Sequence, residues 1–311
     1  MRYNKEMTFK ILRKLGHKTK RKFNEVYLVE IIENKQLGVL KQLIKSDSNL
    51  HIQDLLRNEA QFEFQNRNLP KTLYFEENEE QISLVKNYFE GEALEIYWQK
   101  IAKKDRISFL CLFIQKIQPI FQELKDRSIV HGDIKLTNFI IKGVGLSFDV
   151  YLIDFGLSFC PSDFDKSKNS RKVVFALGFS APELILNKLN VANQSTDLFA
   201  LGICIYFLFE GKLPLSHPNP AIMTNLQLVH PLVGPNSISK DLFQVLKKMC
   251  HKESFAKPAN LMSNEEIEFV LKKGISKRYE SLNEIYNDLN QIRLKRERSV
   301  LGRLIKIFSK P

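Results

Sequence analysis

The first ninety residues carry their apolar positions in short blocks. β-branched and aromatic residues cluster over 9–15, 23–32, 37–43, 72–75 and 82–88, and polar turns bound each block, which is the mark of strands. One stretch among them has a different period. Leu55, Leu56 and Phe62 recur near helical spacing and predict a helix over 51–66. Beyond Glu90-Gly91 the pattern turns helical. Leu110, Phe113, Ile114, Ile117 and Ile120 share one broad face over 107–123. Residues 196–209 are apolar almost all round, as in a helix buried on every side. Strand-like runs at 139–141 and 150–153 lie between these two, and further helices are predicted near 239–250, 264–273 and 279–292. The pattern alone thus predicts a small β-rich lobe followed by a larger helical one.

Composition adds exclusions. The chain has 311 residues, 44% of them hydrophobic and 26% charged, which is ordinary for a globular protein and unlike a fibrous or disordered one. The longest apolar run, 198–209, is well short of the ~20 residues that cross a bilayer as a helix. The N-terminal residues hold no apolar stretch of signal-peptide type. Cys111, Cys160, Cys204 and Cys250 are far apart with no C-x-x-C pairing, so free thiols in a reducing cytoplasm are expected.

The net charge of +12 is uneven: residues 1–22 carry +8, residues 293–311 carry +6, and the rest carry −2. A nearly neutral body predicts no broad nucleic-acid surface. Near the C-terminus, Val300, Leu301, Leu304, Ile305 and Phe308 form one helical stripe after the basic residues Arg293, Lys295, Arg296 and Arg298. Two readings fit that stripe: weak association with an anionic membrane surface, or packing on the larger lobe as an extra helix.

The candidate chemistry is concentrated in three places. In His131-Gly132-Asp133-Ile134-Lys135-Leu136-Thr137-Asn138, an Asp and an Asn on one tight loop can face a single cavity. The carboxylate can orient a hydroxyl proton, and the amide oxygen can reach a metal. Ile153-Asp154-Phe155-Gly156 ends a strand-like run, and Ser180-Ala181-Pro182-Glu183 follows. Each motif alone is weak, but the ordered set is specific.

This order, H-x-D-x-x-x-x-N, D-F-G and A-P-E, resembles the protein kinases over nearly the whole chain. The resemblance implies an α+β, two-lobed fold with an ATP-binding lobe over 1–89, a helical lobe over 90–292 and a basic tail over 293–311. It implies ATP-dependent transfer of a phosphoryl group to Ser/Thr hydroxyls of protein substrates, with magnesium, or manganese in its place. By the same resemblance, Asp133 and Lys135 are catalytic, and Asn138 and Asp154 bind the metal. Gly16, Val26, Lys41, Glu59, Asn87 and Phe89 form the nucleotide site. His131, Gly156, Glu183, Asp197 and Arg278 are structural, with Glu183 paired to Arg278 and Asp197 holding the catalytic loop.

The sequence also departs from the family pattern. After Gly16, the phosphate loop has Arg21 and Asn24 where further glycines are usual. Lys18, Lys20, Arg21 and Lys22 either replace backbone donors or stay solvated. Gly132 stands in place of the arginine that receives a phosphorylated activation segment, so activity without that switch is expected. Autophosphorylation at Ser158, Ser162, Ser167 or Ser170 is then expected without being required. The same H-G-D spelling occurs in small-molecule kinases, and Ala176 replaces a usual threonine. A pseudokinase or scaffold, and a small-molecule or glycan kinase, therefore stand as alternatives. Lys86 falls at the gatekeeper position behind the adenine in one register and one place off it in another.

Overall fold

The computed structural model describes residues 7–15, 24–164 and 175–308, with side chains for 25–164, 175–298 and the N-terminal piece. Gly16, the basic loop residues 18–22, Ser167 and Ser170 lie outside the described residues.

Five antiparallel strands form the first layer: β1 (Phe9–Lys14), β2 (Asn24–Ile31), β3 (Leu37–Ile44), β4 (Thr72–Glu77) and β5 (Gln81–Asn87), in the order β1-β2-β3-β5-β4. Register decides which side chains share a face. Lys41 on β3 lies opposite Val26 on β2 and Leu84 on β5. Helix α1 (Leu50–Gln61) follows β3 and buries Leu56 and Ala60 against Leu43, Ile82 and Leu84. It ends earlier than its apolar period predicts. Phe62 is already extended, and the rings of Phe62 and Phe64 stack on each other and close on Phe155. Burying the two aromatic rings outweighs one more helical turn.

The second layer begins with β6 (Glu92–Ala93) and α2 (Leu94–Gln99), a short helix that the periodicity does not predict, and continues into the long α3 (Arg106–Asp126). Strands β7 (Phe139–Val144) and β8 (Ser147–Leu152) form a hairpin whose ladder runs from Phe139↔Leu152 to Val144↔Ser147. Gly145 turns it with φ +59°, a left-handed conformation that suits glycine. The hairpin brings its two flanks together, and the Ile153 N–H donates to the Asn138 carbonyl at 2.9 Å.

Helices α4 (Pro182–Ile185), α5 (Gln194–Glu210), α6 (Pro220–Val229), α7 (Lys240–Met249), α8 (Asn264–Ile275) and α9 (Leu282–Phe308) complete the lobe. The Asn193 side chain caps α5 by accepting from the Ser195 N–H, and Gly211 ends it at φ +76°. Between those ends, α5 is buried all round. A Cβ at Gly202 would stand 2.7 Å from Cys250 Sγ and 2.9 Å from Met249 Cβ, so only glycine lets α5 approach α7 this closely. The main core joins Phe109 and Phe113 of α3, Leu201 of α5, Leu246 of α7 and Ile285 and Leu289 of α9.

One buried ion pair ties this lobe together. Arg278 donates to both oxygens of Glu183, at 2.6 and 3.1 Å, and to the His251 carbonyl at 2.9 Å. Thr196 adds a hydroxyl donor to Glu183 at 2.8 Å. Arg278→Ala leaves Glu183 charged and buried, and should lower the unfolding free energy in urea by roughly 3–5 kcal/mol. Arg278→Lys should recover only part of that loss, because a single ammonium cannot reproduce the two-pronged contact.

Candidate active site

The cleft between the layers is built around three ionisable groups. Lys41 Nζ donates to Glu59 Oε1 and Oε2 at 2.8 and 2.6 Å, and to Asp154 Oδ1 at 2.9 Å. The three residues come from β3, from α1 and from the segment after β8. Burial alone would lower the Lys41 pKa, but Asp154 and Glu59 outweigh it and hold the ammonium above its usual range. In return, Lys41 holds the Asp154 carboxyl well below the usual carboxylate range. Asp154 itself has φ +72°, a left-handed backbone rare outside glycine.

Lys135, whose charge also acts on Asp154, donates through Nζ to Asp133 Oδ2. Asn138 Nδ2 donates to the Asp133 carbonyl at 2.8 Å and to Oδ2 at 3.1 Å, which leaves the Asn138 amide oxygen as an acceptor. Asp197, at the start of α5, fixes this loop from below. Its two oxygens accept the N–H groups of His131 and Gly132 at 2.8 and 3.0 Å. Burial pushes Asp197 up to about 7, against the pull of those two donors. His131 accepts the Asp133 N–H on Nδ1 and bonds the Ile153 carbonyl through Nε2, an arrangement that fits the neutral tautomer with its proton on Nε2. Burial likewise lowers its pKa.

Gly132 has φ +74°, and a Cβ there would stand 3.0 Å from the Leu157 carbonyl oxygen. A glycine relieves this crowded left-handed position. Phe155 is buried against Phe64, with ring centroids 4.5 Å apart, and against His131 at 4.6 Å. Val26 is buried on β2, on the same face as Lys41. Phe89 stacks on Tyr151 with centroids 4.3 Å apart. The Asn87 side chain accepts the Lys71 N–H at 2.6 Å, so it serves the sheet edge, and any contact it makes with a nucleotide falls to its backbone. Lys86 lies on β5, buried, with its ammonium on the Thr72 hydroxyl.

Two contacts were not read from the sequence. Asn58, beside Glu59 on α1, donates to the Gly156 and Ser158 carbonyls at 2.9 and 2.8 Å and ties the helix to the segment after Asp154. No spacing rule marks an asparagine for that work. Ser158 is 1% exposed and its hydroxyl donates to the His131 carbonyl. This removes it from the four serines expected to accept phosphate, while Ser162 is exposed.

The protein kinase domain family matches residues 9–267. The chain belongs to the protein kinase family. It is 30% identical to Aurora kinase C of Mus musculus over 216 residues, which cover 66% of this chain and 71% of that one. It is 25% identical to an Aurora kinase of Eremothecium gossypii over 245 residues, 78% of this chain and 63% of that one. It is also 22% identical to a probable cell cycle serine/threonine-protein kinase of Encephalitozoon cuniculi over 272 residues, 86% of this chain and 55% of that one. The two-lobed α+β fold expected from the sequence is the kinase fold, the family is one of phosphotransferases that typically bind ATP, and the similarity to proteins named as serine/threonine-protein kinases supports Ser/Thr protein kinase activity.

The donor set suits magnesium. An Asp carboxylate and an Asn amide oxygen are hard oxygen ligands, and two protein oxygens leave coordination positions for phosphate and water. Among the described residues, no group of three or more His, Cys, Asp or Glu forms a closed metal cage.

The lowered Asp154 carboxyl makes a signed prediction. A depressed carboxylate contributes stability above its unfolded pKa of about 4, and that contribution is lost as pH falls toward the folded value. Glu77, lowered to about 2 chiefly by its hydrogen bonds from Arg57, acts in the same direction. The melting temperature should therefore fall progressively from about pH 5 down to about pH 2, and Lys41→Met should flatten that drop in a scanning fluorimetry series.

Proposed function

We propose that the chain is a catalytically competent Ser/Thr protein kinase that transfers the γ-phosphoryl group of ATP without a phosphorylated activation segment. The observation that carries this reading is the intact Lys41 contact with Glu59 and Asp154, facing the Asp133–Lys135–Asn138 cluster. Phosphoryl transfer asks mainly for positioning and charge neutralisation, and these side chains supply both. Lys41 orients the phosphates, and Glu59 holds Lys41. Asp133 accepts the proton side of the acceptor hydroxyl and aligns its oxygen, and Lys135 offers positive charge to the transferred group. Asn138 and Asp154 would hold magnesium, or manganese in its place, and the bound ion would neutralise phosphate charge. Val26 covers the nucleotide, and the backbone of Asn87 and Phe89 meets the adenine edge. Gly16 serves the phosphates.

Two observations favour a protein substrate over a small molecule and activity over a scaffold. Glu183 and Arg278 anchor the platform on which a protein substrate lies, and none of the cleft charges is lost. Gly132 removes the arginine that would read a phosphorylated segment, which supports independence from that switch.

The test is radiolabelled ATP transfer by purified protein, to itself, to a generic protein and to a sugar and amine panel. Wild type should label protein, and Asp133→Asn and Asp154→Ala should each reduce labelling at least a thousandfold; Asp133→Asn should melt as wild type does, and Asp154→Ala, which strips Lys41 of one partner, should stay folded at a lowered melting temperature. No transfer with either metal would leave the scaffold reading, and labelling of the panel alone would leave the small-molecule one. Ser162→Ala should keep turnover within twofold of wild type.

A second reading concerns location. The four cysteines are free, in keeping with a reducing cytoplasm. Helix α9 continues through Phe308, so the apolar stripe of 300–308 keeps its helical period beside the basic residues. This supports peripheral attachment to an anionic membrane, each nearby Lys or Arg adding ~1 kcal/mol. Wild type should sediment with anionic vesicles and not with neutral ones, and a 1–292 truncation should lose that binding. Equal sedimentation of both proteins discards the idea.

A further inference from the structure

Lys86 is a cation in the middle of a sheet. It is 4% exposed, and lies opposite Val39 on β3 and Thr72 on β4. An ammonium at such a place is costly unless its protons are taken up. Two neutral oxygens take them: Thr72 Oγ1 at 2.6 Å and the Phe62 carbonyl at 3.3 Å. The Thr72 hydroxyl in turn donates to the Ala60 carbonyl at 3.2 Å.

The Ala60 carbonyl belongs to the last turn of α1, and Phe62 is the extended residue that follows the helix. The last carbonyls of a helix lack partners within it and carry the negative end of its dipole. Lys86 therefore places a positive charge where that helix end favours one, and the hydroxyl of Thr72 extends its reach by one residue. Ala60 adjoins Glu59, the residue that holds Lys41. The apolar seat of α1 on the sheet is small, with Leu56 and Ala60 its buried apolar contributions. The surrounding charges are Glu59 and Glu63, which attract the ammonium, and Lys41, which repels it; burial dominates and lowers Lys86 to about 8.

We propose that Lys86 and Thr72 form a polar clamp on the C-terminal turn of α1 that keeps Glu59 on Lys41, so that Lys86 is a positioning residue for phosphoryl transfer. This rests on the reading that the Lys41–Glu59 pair serves catalysis. The clamp acts through the helix, so its loss should show in turnover and in helix dynamics, without a matching loss of overall stability.

The experiment combines three measurements on Lys86→Met, Thr72→Val and the double variant of the full chain. Lys86→Met removes a desolvated cation at similar volume, and the burial cost it relieves offsets the two hydrogen bonds it loses, so the melting temperature should stay close to that of wild type. Its kcat should fall about tenfold with the ATP KM changed less than twofold, and amide hydrogen exchange over 57–62 should speed up about tenfold or more. Thr72→Val should move the same readouts in the same direction, and the double variant should be no worse than Lys86→Met alone. Wild-type kcat together with wild-type exchange in Lys86→Met overturns the clamp. A raised ATP KM at unchanged kcat overturns it too, since that marks direct nucleotide contact. If Lys86→Met fails to fold, unchanged exchange in Thr72→Val is the overturning result. If wild type transfers no phosphate, the exchange measurement still decides the clamp, and only the catalytic reading falls.

Discussion

One ammonium group holds the two layers in register. Lys41 Nζ meets carboxylates 18 and 113 residues away in the chain, one on α1 and one after β8, each within 2.9 Å. Burial alone would favour the neutral amine, and the two carboxylates together keep Lys41 charged; without Lys41, the buried Glu59 carboxylate would lose its counter-charge. The sheet, the helix and the segment after β8 are therefore coupled by electrostatics in addition to their apolar contacts. Small changes in the seat of α1 are felt at Asp154 through this one atom.

The lower lobe solves the opposite problem, which is to hold backbone rather than side chains. Asp197 grips two successive N–H groups of the catalytic loop, and Asp197 is itself rigid because α5 is buried all round and packed closely on α7 through Gly202. Glu183, at the end of the activation segment, is held instead by side chains, those of Arg278 and Thr196. Each of these polar groups is almost fully buried, and each is hydrogen-bonded by atoms from distant parts of the chain. A partly filled network of this kind would be more costly than an apolar core. The rigidity of the loop and its cost in design have the same source.

The strands and long helices were legible because their apolar periods are unbroken: β3 reads as a strand with or without its lysine, and α5 as a buried helix from composition alone. The end of α1 was not, since only tertiary packing of Phe62 and Phe64 on Phe155 stops it. Helix α2 is too short for a period to register. Helix α6 does carry a start signal, Asn219 followed by Pro220, whose cap geometry the structure displays. Among the cleft residues, the ordered motifs located Lys41, Glu59, Asp133, Asn138 and Asp154, and the hairpin β7–β8 explains why Asn138 and Asp154 adjoin. Asn58 and Thr72 stayed invisible because their work is done by hydrogen bonds to backbone carbonyls, which no residue pattern encodes. The partners of Lys86 could be found only from the register of β4, β5 and the end of α1.

Helix α9 runs without a break over 27 residues, a length of ~40 Å at 1.5 Å per residue. Its first half is fixed to α3 and α7 by Ile285, Leu289 and Ile292. The C-terminal segment is thus joined to the catalytic lobe as a spar and not as a string. A flexible tether sets only how far a cleft can wander from its anchor. A spar also sets which way the cleft points, so anything that grips the far end of α9 would aim the cleft as well as recruit it.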